Sequence, residues 1–184
     1  MKRLFFTAAL PVLAAVTAAT AVAAPATASE RDKKFFRTVE GEWVGPGEIV
    51  AGKYKGTKFT CSFSGSTPAQ NAGMTLDGGC RVGVFTQKMS ATVERKGRAG
   101  YKGTFMDGAA GKGLDIVGGN VVDGRKVVFS LNRNALKGAM VASLADQNSM
   151  TVTVSVRVDD RLVPVIGVSL KRVDGAAVGS VAKN

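Results

Sequence analysis

From Trp43 onward, apolar residues recur at every second position almost to the end of the chain. The stretch "MTVTVSVRV" is the plainest case: Met150, Val152, Val154, Val156 and Val158 alternate with Thr151, Thr153, Ser155 and Arg157. Such a period turns one set of side chains toward a core and the other toward water, as a half-buried β-strand requires. "YKGTFMD", "GRKVVFSLN" and "LVPVIGVSLKRV" repeat the pattern with β-branched and aromatic enrichment. Between these runs lie turn signals: "AGKYKG", "SGSTPAQNAG", "ERKGRAG", "DGAAGKG", "VDGR", "NRNALKG", "ADQNS" and "DDR". Asp123-Gly124 is the strongest, because a two-residue type I′ turn needs positive φ at both central positions. Eight turns predict nine strands, and a bend around residues 85–87 would make ten. Short sequential connections favour antiparallel neighbours, and closing the sheet removes its open edges. The expected fold is therefore all-β: an up-and-down antiparallel barrel of about 8–10 strands. A β-sandwich is the alternative.

The period is different ahead of Trp43. "SERDKKFFRTVEGEW" reads as a short N-terminal helix leading into a strand, with Phe35, Phe36 and Val39 placed to cap one end of a barrel. Further upstream, Lys2 and Arg3 precede an apolar run over residues 4–24, with A-x-A patterns at Ala21-Val22-Ala23 and Ala26-Thr27-Ala28. This is the layout of a secretory signal peptide, expected over residues 1–28, and it implies a periplasmic or secreted protein. Cleavage there leaves 156 residues, enough for one domain: a barrel over 29–174 and a flexible, small-residue tail over 175–184. No transmembrane segment is expected after processing.

Two cysteines, Cys61 and Cys80, stand nineteen residues apart. That spacing does not fit a C-x-x-C redox pair, and a zinc site would need further ligands in a chain that has no histidine. In an oxidising compartment an even count points to a disulfide. Phe59, Cys61 and Phe63 share one strand face, and Met74, Leu76, Cys80, Val82 and Val84 share another, so a bridge between neighbouring strands is expected. Closing a loop of this length contributes about 3 kcal/mol in the chain-entropy model.

Gly41-Glu42-Trp43 resembles the G-x-W that opens the first strand of lipocalins and related calycin barrels, with "KKFFRTVE" where those proteins carry a short lead-in helix. The resemblance implies that Arg172, in "GVSLKRV", packs over Trp43. The longer stretch from Gly41 to Gly47 also resembles the opening of nitrobindin-like haem barrels, whose ligating histidine has no counterpart here. A third resemblance is to small periplasmic barrels that inhibit secreted metalloproteases and combine G-x-W with one early-strand disulfide.

Composition bears on chemistry mainly by exclusion. Without histidine, no Ser-His-Asp or Cys-His arrangement exists and the commonest metal ligand is missing, so no metal or other cofactor and no enzymatic activity is expected. Glu40, Glu42 and Glu48 gather near the first strand, but the alternation turns Glu42 and Glu48 away from Trp43, and Asp115 away from Leu114 and Ile116. Gly78-Gly79 and Gly118-Gly119 read as bulges or barrel bends, since no helix follows either pair to make a phosphate cradle. The net charge of +11, or +9 without Lys2 and Arg3, favours anionic partners. Nucleic acid is not expected, because the basic residues lack aromatic interleaving. The expected function is a non-enzymatic binding barrel for a small apolar or amphipathic ligand, with Trp43, Phe59, Phe63, Tyr101, Phe105 and Met140 as candidate lining and inward glycines as the hint of space. The alternatives are a protein-binding barrel, such as a secreted-protease inhibitor, and a structural factor held to an anionic envelope surface.

Overall fold

The period-two pattern resolves into ten strands behind one helix. In the computed structural model, which describes residues 28–97, 100–106 and 114–173, α1 (Ala28–Thr38) precedes β1 (Gly41–Ile49), β2 (Lys58–Ser66), β3 (Gly73–Val82), β4 (Phe85–Arg95) and β5 (Tyr101–Met106). There follow β6 (Leu114–Val122), β7 (Lys126–Arg133), β8 (Leu136–Asp146), β9 (Ser149–Val158) and β10 (Arg161–Val173). Each strand pairs antiparallel with its neighbour in the chain, and β1 pairs with β10 to close the barrel. The expected signal peptide, all but Ala28, the expected tail over 175–184 and the turn signal within residues 107–113 fall outside the described residues.

Local chemistry accounts for most boundaries. Asp123 and Gly124 take φ of 52° and 63°, the pair of positive values that a type I′ turn demands. Asn134 and Asp159 also adopt positive φ in their two-residue turns, which short polar side chains tolerate. The tenth strand arises at Gly83-Val84 rather than at residues 85–87: Gly83 has φ of 58° and the chain reverses there. Val82 and Val84 accordingly do not continue the buried face of β3. They lie 43% and 89% exposed at the barrel end, where no neighbouring strand covers them. Gly78-Gly79 is not a bulge either, because its pairing with Phe63 and Ser62 runs without a register shift. The irregularity at the other glycine pair is present, between Ile116 and Gly118.

Helix α1 is amphipathic, with Asp32, Phe35, Phe36 and Val39 at the i, i+3, i+4, i+7 spacing of one face. Glu30 in its first turn and Arg37 in its last complement the helix dipole. Phe35, Phe36 and Val39 are 1%, 1% and 3% exposed, so the helix stops one end of the barrel as expected. Each such side chain contributes about 1.5–3 kcal/mol of burial. Behind them Trp43, Phe63, Val93, Tyr101, Phe129 and Leu170 form a continuous core. Cys61 and Cys80 are directly opposite across β2 and β3 and form the disulfide.

Candidate functional site

Two clasps fix the helix end. Trp43 pairs with Arg172 across the β1–β10 seam, and the guanidinium carbon lies 4.5 Å from the indole centre. Trp43 Nε1–H donates to the Val39 carbonyl at 3.0 Å, while Arg172 Nη1 and Nη2 donate to the carbonyls of Glu40 and Thr38. The cation thus satisfies backbone acceptors at the helix C-terminus, which would otherwise lack partners. The second clasp was not legible beforehand. Asp32, only 9% exposed, accepts from Tyr101 Oη at 2.7 Å and from Arg95 Nη1 at 2.8 Å. Burial, and next the hydrogen bond to Asp32, push the Tyr101 phenol well above its ordinary range. Phe36 packs on Tyr101 at 5.3 Å between centroids, and Tyr101 packs on Phe129 at 5.8 Å.

Inside the wall, glycines and phenylalanines are matched across strands. Gly47 faces Phe59, Gly78 faces Phe63 and Gly119 faces Phe129 in register. A Cβ on Gly47 would sit 2.2 Å from the Phe59 ring, on Gly78 2.8 Å from Phe63, and on Gly119 2.6 Å from Phe129. Each ring therefore occupies the space its partner glycine leaves, a cross-strand device that also lets the sheet coil. The inward glycines that hinted at space are occupied positions: Gly47 is filled by the Phe59 ring, and a Cβ on Gly45, Gly103 or Gly138 would meet the backbone oxygen of Ser169, Thr92 or Ser155 at 1.9, 1.9 or 2.4 Å, so none of the four marks a ligand space.

The six candidate lining residues divide into two groups. Trp43, Phe63 and Tyr101 belong to the helix half, at 0%, 8% and 1% exposure, sealed beneath α1. Phe59, Phe105 and Met140 are half-buried and stand on β2, β5 and β8, spaced around the wall in the half away from the helix. Inward neighbours in that half, among them Met89, Leu114, Val154 and Ile166, are likewise only half-buried. At the far end inward Leu136 and Val158 reach 44% and 51% exposure. Cys61, Cys80, Ile116 and Leu131 in the same half are buried, so its apolar wall meets solvent only in part; this end of the barrel, away from α1, is the mouth. Glu42 and Glu48 lie on the outer face of β1, half-buried, and Asp115 is exposed on the outer face of β6. Glu40 Oε1 is engaged by the Thr67 amide at 3.0 Å and by its hydroxyl.

A separate groove of about 720 Å³ runs along the helix end, bordered by Arg31, Lys34, Arg125, Asp123 and Asp146. Its walls are open and mix both charges; the Asn148 amide holds the Asp146 carboxyl below its usual range. Among the described residues no group of three or more Cys, Asp or Glu side chains converges to hold a metal ion. No protein-family model matches the chain, and no curated protein matches it.

Proposed function

We propose that the protein is a non-enzymatic binding barrel of the cell envelope, calycin-like in architecture, whose mouth takes up a small apolar or amphipathic molecule such as an acyl chain. The observation that carries this reading is the incomplete cover of inward apolar side chains toward the end away from α1, where Phe59, Phe105, Leu114 and Met140 are half-buried and Leu136 and Val158 are exposed. Apolar surface left open in a concave wall gains roughly 25 cal/mol per Å² when a ligand covers it. The closed half supplies a rigid floor, so little ordering accompanies binding. The Trp43–Arg172 stack supports the calycin comparison, as does the helix that leads into β1. Export to the periplasm or beyond follows from the signal-peptide pattern and the disulfide.

The test begins with solvent extraction of purified protein and mass spectrometry of the extract. A fluorescent fatty acid is then titrated into wild type and Phe105→Glu. Saturable binding that Phe105→Glu weakens about tenfold, some 1.4 kcal/mol, is the expected result. No extracted molecule and no saturable signal would remove the ligand reading.

A further inference from the structure

The mouth carries a second feature that the lumen does not account for. Among the described residues ten large apolar side chains are exposed, and all but Val117 lie at the mouth end. The most prominent occupy the tips of its loops: Tyr54 at 63%, Val84 at 89%, Phe85 at 78%, Leu136 at 44% and Leu162 at 47%. Cations lie near each tip in the chain: Lys53 and Lys55 around Tyr54, Arg81 three residues before Val84, Lys137 after Leu136, Arg161 before Leu162. Those five cations are all exposed, and Lys53 Nζ lies 5.5 Å from the Tyr54 ring centre. The carboxylates nearby are Glu48, Asp115, Asp159 and Asp160.

The opposite end is built differently. The ion pairs Lys33–Glu30, Arg95–Asp32 and Lys96–Glu94 are all there, and among the described residues none is formed by the five mouth cations. The large apolar side chains of α1 point inward and are covered. Exposed apolar side chains therefore gather at one end of the barrel axis, whereas exposed cations stand at both, Arg31, Lys34, Arg37 and Arg125 among them at the helix end. Four described loops combine apolar tips with nearby cations in one direction.

We propose that the mouth is a docking surface for an anionic lipid bilayer, with Tyr54, Val84, Phe85, Leu136 and Leu162 entering the interface and the adjoining cations meeting the head groups. A water-soluble anion would need the cations alone, and an ordinary soluble surface would not cluster aromatic and aliphatic tips at one end. A bilayer interface takes both, since aromatic and aliphatic groups partition into the acyl boundary while lysine and arginine snorkel to the phosphates. Each cation near an anionic leaflet raises partitioning roughly fivefold. The inference holds whether or not the lumen takes a ligand, since Tyr54, Val84, Phe85 and Leu162 stand on the loops outside the lumen and only Leu136 is shared with its rim.

Sedimentation of the exported, processed protein with sucrose-loaded vesicles tests it. Binding to phosphatidylcholine vesicles containing phosphatidylglycerol is expected to exceed binding to phosphatidylcholine alone by at least about tenfold, and to weaken as salt screens the charges. Val84→Ser with Phe85→Ser, and separately Lys53→Ser with Lys55→Ser, are each expected to lower vesicle binding about tenfold. Both pairs are exposed, and circular dichroism verifies that the variants remain folded. Lys33→Ser with Lys34→Ser, at the helix end, is expected to leave binding unchanged. In a Phe85→Trp variant, brominated acyl chains are expected to quench the new tryptophan. Equal sedimentation with both vesicle types, indifference to the mouth substitutions or an unquenched Trp at position 85 would overturn the proposal. A self-associated dimer dissolved by Val84→Ser with Phe85→Ser would assign the surface to a second copy and overturn it too.

Discussion

Raising the pH should loosen this barrel through one phenol. The chain has two tyrosines, Tyr54 and Tyr101. Tyr54 is 63% exposed, and Tyr101 is 1% exposed and donates to Asp32 at 2.7 Å. Folding therefore holds the Tyr101 proton more tightly than the unfolded chain does, whose tyrosines ionise near pH 10. A group whose pKa is raised by folding gives its full stabilisation below the unfolded value and loses it as pH climbs beyond. The loss begins near pH 10 and grows by about 1.4 kcal/mol for each further unit. Tyr101→Phe removes the titration along with the hydrogen bond. Near neutral pH that variant is expected to lose about 1–2 kcal/mol, toward the low side for a bond to a charged acceptor because Arg95 still serves Asp32 at 2.8 Å. By pH 11 the wild type has given up about as much, so the two stabilities are expected to converge. Urea unfolding of both proteins at intervals from pH 8 to about pH 11 measures the difference directly, and lysine titration common to both cancels. Phenolate absorbance adds a second reading: in the folded protein the Tyr101 phenol is expected to keep its proton at pH 10. Parallel stability curves, or a Tyr101 phenolate formed near pH 10 before unfolding, would refute the clasp.

Two further outcomes follow from the geometry. Arg172→Met leaves the Thr38 and Glu40 carbonyls without their donors and is expected to cost about 3 kcal/mol in urea unfolding, with Arg172→Lys recovering less than half because one ammonium cannot span both acceptors. Gly47→Ala puts a methyl group 2.2 Å from the Phe59 ring and is expected to cost about 1–3 kcal/mol; in a Phe59→Val background the same change is expected to cost at least 0.5 kcal/mol less, measured as a double-mutant cycle.

The barrel could be read from the chain because strand period and turn chemistry are local. Alternation in 150–158 depends on nothing distant, and Asp123-Gly124 reverses the chain by its own conformational preference. The β3–β4 turn was harder to place, because Arg81-Val82-Gly83-Val84-Phe85 keeps the β-branched and aromatic character of a strand straight through the reversal. Trp43 and Arg172 were paired beforehand only through the calycin resemblance. Nothing signalled Asp32: its partners Arg95 and Tyr101 are 63 and 69 residues away, and a carboxylate on a charged helix reads as solvated. The inward glycines misled for a similar reason. An inward glycine looks like room until strand pairing reveals what lies against it, the Phe59 ring at Gly47 and neighbouring-strand backbone at Gly45, Gly103 and Gly138, and pairing is a property of two strands. The division of the candidate lining into a sealed half and an accessible half was equally hidden, since alternation says which way a side chain points and not how far along the axis it is covered.

The seam between β1 and β10 has a consequence for the order in which this molecule assembles. Every other strand pair joins neighbours in the chain, so hairpins can form early with little loss of loop entropy. The seam joins residues more than a hundred positions apart, from Glu42 with Val173 to Ile49 with Ile166. Until it closes, the intermediate is an open sheet with two bare edges, each able to recruit a strand from another chain. Arg172 lies on that seam and reaches the helix end from it. Weakening it would therefore lengthen the life of the open sheet as well as loosen the finished barrel, and raise the yield of aggregates during refolding at high protein concentration.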